Sequence, residues 1–195
     1  MIKIIDYKAG NAPSVLAAVE RLGYKASFAR TAAGLDGATR IILPGVGSAG
    51  ATMGSLREAE LIDVLEKAVL TNKTPFLGIC VGLQVLFEES EEDNAKCLGW
   101  LKGKVIKFEQ DKVRVPQMGW NRVSFVKGTD KNNDYYYFVN SYYAVPYDAH
   151  EVWGMANYDG INFTAAVNRG NIYATQFHIE KSGEAGLKLL EKFLD

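Results

Sequence analysis

Two places in this sequence carry side chains fit for nucleophilic chemistry. The first is Gly78-Ile79-Cys80-Val81-Gly82, which follows an apolar run at 74–79 and precedes Leu83, Leu86 and Phe87 at helical spacing. A nucleophile flanked in this way, between strand and helix, forms a nucleophile elbow, here with sulfur in place of a hydroxyl. The sharp turn strains its central residue and crowds the neighbours, so residues without side chains flank it. At a helix start the sulfur meets unpaired N–H groups and the positive end of the dipole, both of which favour a thiolate. The second place is the β-rich run 172–177, which ends in His178-Ile179-Glu180-Lys181-Ser182. A histidine at a strand end, with a carboxylate two residues on, supplies a base and a group to orient it. Alone, each motif has a plain alternative: a small buried core cysteine, or a surface His-x-Glu pair. Set in one sheet, they define a cysteine acyl-transfer centre. His150, in the polar turn 147–151, is the competing base.

The elements that must position these groups read as α/β. Residues 2–7 form a continuous apolar strand, of the kind buried on both faces of a parallel sheet. Ala9-Gly10-Asn11 turns out of it, and a helix follows with Pro13 in its first turn and Gly23 as its stop. Strands are expected near 26–29 and at 40–43. The second of these ends in the glycine-rich loop Pro44-Gly45-Val46-Gly47-Ser48-Ala49-Gly50, which fits neither dinucleotide nor P-loop spacing. A helix over 53–70 hands over to the Cys80 strand. The acidic run 88–93 reads as a solvated helix end and loop. Beyond it, strands at 102–108, 122–125, 135–140, 151–155, 163–167 and 172–177 look like an antiparallel extension, closed by a helix over 183–195. The expected architecture is one domain over 1–195, an open, mostly parallel sheet flanked by helices with an antiparallel extension.

Composition narrows the function classes. A 195-residue chain with 48% apolar residues has ample core for one domain. A net charge of −1 gives no electrostatic case for nucleic acid or an anionic membrane. Met1-Ile2-Lys3-Ile4-Ile5-Asp6 has no signal-peptide core, and no window suits a membrane span, so a cytoplasmic setting is expected. Cys80 and Cys97 lack metal-type spacing, and two histidines are too few for a structural zinc site. Neither metal nor cofactor is called for.

Three blocks, Leu-Pro-Gly-Val-Gly (43–47), Leu-Gly-Ile-Cys-Val-Gly-Leu-Gln (77–84) and Gln-Phe-His-Ile-Glu-Lys-Ser (176–182), resemble the signatures of class I glutamine amidotransferases. Asp6-Tyr7-Lys8-Ala9-Gly10-Asn11, Pro116-Gln117-Met118-Gly119-Trp120-Asn121 and Tyr136-Tyr137-Phe138-Val139-Asn140-Ser141-Tyr142 are similar to the glutaminase subunits of imidazole glycerol phosphate synthase. The similarity runs in order over nearly the whole chain. It implies a class I amidotransferase fold, with Cys80 as nucleophile, His178 as general base and acid, and Glu180 as its partner. It also implies oxyanion donors at Val81 and Val46, and a glutamine site at Gly45, Gly47, Gln84, Ser141 and Tyr142. The partner implied is a (β/α)8-barrel cyclase forming a heterodimer, with Asn11, Met118, Trp120, Tyr137 and Lys181 at or near the interface. Ammonia from glutamine would pass to that cyclase, which makes imidazole glycerol phosphate in histidine biosynthesis. An alternative is a same-class glutaminase feeding another synthase, such as a surface-sugar amidination enzyme. Three positions depart from the family pattern: Ile179 for proline, Asn140 for histidine, and Lys8 for glycine.

Overall fold

A computed structural model describes residues 1–7, 11–126 and 134–195. Its backbone is one continuous sheet. The parallel part runs β2 (Ala26–Ala29), β1 (Ile2–Ile5), β3 (Arg40–Gly45), β4 (Phe76–Cys80) and β13 (Ile172–Thr175). Ile4, Ile5, Ile41, Ile42, Leu43 and Phe76 are fully buried, as strands covered on both faces require. From β13 the sheet turns antiparallel through β12 (Ile161–Arg169), β10 (Tyr142–Pro146) and β7 (Gly103–Lys107), ending at the short strands β5 (Glu89–Ser90) and β6 (Ala95–Lys96). A branch leaves β12 through β11 (Val152–Tyr158) to β8 (Gln117–Phe125) and β9 (Tyr135–Asn140). The expected parallel sheet with its antiparallel extension is therefore present.

Helix α1 (Ala12–Arg21) starts with Pro13 in its first turn and buries Val15, Ala18 and Val19. It stops where Gly23 takes φ +85° and Tyr24 N–H closes back on Val19 O at 3.2 Å. The turn at Ala9 and Gly10, like Lys8, lies outside the described residues. Helix α5 (Gly183–Leu194) buries Leu189, Leu190 and Leu194 and meets α1. Among the described residues, no helix is long and apolar enough to cross a membrane.

The structure corrects three local expectations. The helix expected over 53–70 is broken into α2 (Ala49–Glu58) and α3 (Ile62–Glu66), because Glu60 takes φ +54° between them. The helix after Cys80 is a single turn, α4 (Val81–Gln84). It stops because the carbonyls of Val85, Leu86 and Phe87 accept from the N–H groups of Leu98, Leu101 and Gly99 instead of continuing the helical ladder. The acidic run is not simply solvated. Glu92 Oε2 accepts from Ala49 N–H at 2.9 Å and Asp93 accepts from the Ser48 hydroxyl, so both carboxylates sit at the start of α2, where its dipole favours negative charge.

Candidate active site

The C-terminal ends of β3, β4 and β13 meet at one cleft, the usual ligand position in open α/β sheets. Cys80 ends β4 and takes φ 56°, ψ −109°, the strained backbone expected of an elbow. The flanking glycines answer a packing demand. A Cβ on Gly82 would stand 2.0 Å from Leu43 O, and one on Gly78 would stand 2.4 Å from Gly82 O. The elbow is thus pressed onto β3 with no space for a methyl group.

His178 follows β13. Its N–H donates to Tyr137 O at 2.9 Å, and its carbonyl accepts from Ser182 Oγ at 2.6 Å, so strand β9 and the next turn lock its backbone. Nδ1 lies 2.9 Å from Glu180 Oε1. A carboxylate partner puts the ring proton on Nδ1 and leaves Nε2 available to the cleft that Cys80 also lines. Burial opposes charge on this imidazole, but hydrogen bonds to Cys80 and Glu180, and the attraction of both, outweigh it and raise its pKa to about 10. Asn11 Nδ2 also donates to Glu180 Oε1, at 2.7 Å. Asn11, expected at a partner interface, turns its amide inward onto the orienting carboxylate. Ile179 is buried, and the His178–Glu180 contact is formed without proline between them.

The cleft holds about 270 Å3 and brings together Cys80, His178, Val81, Val46, Gly47, Gln84, Ser141 and Tyr142. Gly45 is not among its lining. It packs behind the elbow, where a Cβ would stand 2.7 Å from Gly82 N. Sequence reasoning missed Glu92 as a cleft residue, because its neighbours made it look like surface charge. Burial raises its carboxyl pKa, against the Ala49 N–H that lowers it. Asn140, noted only as a departure, also lines the cleft. Its Nδ2 donates to Tyr142 O at 3.0 Å, while its buried Oδ1 has no partner among the described residues. His150 is exposed in a turn capped by Asp148 and is not among the cleft residues.

The expected interface residues divide. Met118 and Trp120 are exposed on β8, at 66% and 56%, and Trp120 stands edge-on to Tyr137 of β9. Lys181 is exposed in the turn beside Glu180.

A strained cysteine and a histidine held by a buried carboxylate, in one cleft at the C-terminal ends of the parallel strands, describe a cysteine-dependent acyl-transfer enzyme. The class I glutamine amidotransferase family model matches residues 3–195. The fold agrees with a crystal structure described as a glutamine amidotransferase (TM-score 0.81, 21% identity, covering 99% of this chain and 96% of that one). It agrees equally with PurLQS from Thermotoga maritima (TM-score 0.80, 20% identity, 99% and 96% covered). Among sequences, imidazole glycerol phosphate synthase subunit HisH of Methanocaldococcus jannaschii is 46% identical over 201 residues, 100% of this chain and 99% of its own. Subunit HisH 2 of Methanococcus maripaludis is 42% identical over 200 residues, 100% and 98% covered. The chain belongs to the class I glutamine amidotransferases and, within them, to the HisH subunits of imidazole glycerol phosphate synthase.

Proposed function

We propose that this chain, as a single domain over 1–195, hydrolyses glutamine to glutamate and ammonia and delivers the ammonia to a (β/α)8-barrel cyclase subunit in histidine biosynthesis. The Cys80 thiolate attacks the side-chain carboxamide carbon of glutamine. The carbonyl electrons move to oxygen, and the N–H groups of Val81 and Val46 receive the oxyanion; one such donor is typically worth about 3–4 kcal/mol of barrier. His178 gives its proton to the amide nitrogen, the C–N bond breaks, and ammonia leaves a thioester. Water, deprotonated by His178, adds to the thioester, and collapse expels the thiolate and glutamate. Glu180 orients the ring and balances its charge. Gln84, Ser141, Tyr142 and Gly47 hold the amino-acid end, where the Glu92 carboxylate suits an α-ammonium group.

The observation that carries this reading is Cys80 in a strained, positive-φ elbow, lining one cleft with a His178 whose Nδ1 is held by a buried Glu180. A partner is supported by chemistry and by surface. Ammonia released to water is protonated and lost, so it has to move in a path that excludes water. Met118 and Trp120 give an exposed apolar face on β8, paired with β9, and the Val139 carbonyl of β9 lies 3.9 Å from Cys80 Sγ. A cyclase docked there, flanked by Lys181 and Asn11, would back onto the nucleophile.

Mixing the chain with the cyclase subunit tests this. Cys80→Ala should abolish glutamine-driven product formation while the complex still uses ammonium salts. Undiminished glutamine-driven turnover in that variant would remove Cys80 from the reaction.

A further inference from the structure

One fully buried polar side chain beside the sulfur has no part in the chemistry above. Gln176 follows β13 and is 0% exposed. Its Nε2 donates to Cys80 Sγ at 3.7 Å, and its Oε1 accepts from Gln84 Nε2 at 3.0 Å. Gln84 Nε2 also donates to the Tyr142 carbonyl at 3.1 Å. The direction of this chain follows from its end. A backbone carbonyl only accepts, so the end of Gln84 facing Tyr142 is the NH2 group. That same NH2 reaches Gln176, so Gln176 shows it an oxygen and turns its own NH2 to the sulfur. An apolar side chain of equal length would fill this space without burying an amide.

We propose that Gln176 is a catalytic residue, an uncharged N–H donor that stabilises the Cys80 thiolate and, through its oxygen, holds Gln84 with its own oxygen free for the substrate. The inference rests on Cys80 being the nucleophile. Its value lies in the second half of the cycle. His178 surrenders its proton to the departing ammonia, is neutral while the thioester waits, and recovers a proton only on deprotonating the attacking water. The Gln176 N–H cannot be transferred, so it is still in place when the thiolate is expelled. The donor arrives by sheet register: Thr175 pairs with Ile79, which sets the next residue beside Cys80.

Among the described residues, the titratable groups facing Cys80 include His178 from the turn after β13 and Tyr7 just beyond β1, with Glu92 in the lining of the same cleft. Substitution at 176 leaves all three in place. The test uses the full chain with Gln176→Met, which keeps the length and removes the donor, and Gln176→Asn, which keeps an amide too short to span Gln84 and Cys80. Iodoacetamide modification of Cys80 is followed against pH, with the adduct located by peptide mass spectrometry so that Cys97 does not contribute. At pH 7 the rate should fall about tenfold, with the profile displaced upward by about one pH unit. In the complex with the cyclase, kcat should fall and KM for glutamine should rise, since Gln84 is loosened too. A purely structural role would lower the melting temperature and leave the alkylation profile where it was. An unchanged profile in either variant, with the thermal melt of the unaltered chain, overturns the proposal. Should Cys80 of the unaltered chain resist a glutamine-mimicking alkylator, the reading of Cys80 as nucleophile fails instead.

Discussion

His178 makes the clearest demand on pH. Its imidazole is raised from the ordinary 6.5 to about 10 by Cys80 and Glu180, against the cost of burial. A group whose pKa is raised on folding adds stability that is complete below its unfolded pKa and lost as pH climbs through the folded value. The pair's contribution should therefore hold below pH 6.5 and fade toward pH 10. Thermal melts of the unaltered chain should fall over that window more steeply than those of His178→Gln; parallel melts would show that the imidazolium is not held. The grouping of Cys80, His178 and Glu180 was legible in the sequence because each motif is local, a cysteine between glycines and a carboxylate two residues from its histidine. Gln176, Glu92 and the cleft role of Asn140 were not. Gln176 reaches the sulfur only through the pairing of β13 with β4, and Glu92 enters the cleft only because it docks on α2.

At the scale of elements, the elbow is a contact between two strands as much as a turn. Gly82 sits against Leu43 O with no room for a Cβ, and backbone cannot yield as a flexible side chain can. Gly82→Ala should destabilise the chain by about 2–4 kcal/mol, read from the midpoint of urea unfolding. A midpoint within error of the unaltered chain would show that the elbow can shift away from β3. The parallel strands were legible as unbroken apolar runs, with boundaries off by a residue or two. Strand β10, absent from the expected strands, starts one residue beyond β9, and the break at Ser141 carries no glycine or proline to mark a new element. The short α4 was misread for the opposite reason. Leu86 and Phe87 keep helical spacing, yet long-range backbone bonds to 98–101 claim their carbonyls.

Across the whole molecule, strand β9 joins two surfaces. One side pairs with β8, which exposes Met118 and Trp120. Through Tyr137 and Val139 its backbone touches His178 and Cys80. A partner seated on the aromatic face is thereby one strand from the reacting groups. Trp120 is more than half exposed and is the natural anchor. Trp120→Ala should weaken cyclase binding by about 2 kcal/mol or more, measured by calorimetry; an unchanged Kd would place the interface elsewhere. That face could not be read from sequence alone, since a tryptophan at this position packs inward as readily as outward until the β8–β9 register is known. Every proposed step rests on Cys80 being the group that takes the glutamine carbon. Diazo-oxo-norleucine, a glutamine mimic that alkylates the attacking nucleophile, reports this directly in the cyclase-bound chain. A single adduct is expected, on the peptide carrying Cys80, with loss of glutamate release in step with labelling. An adduct on Cys97, or full glutamate release from chains already labelled at Cys80, would contradict it.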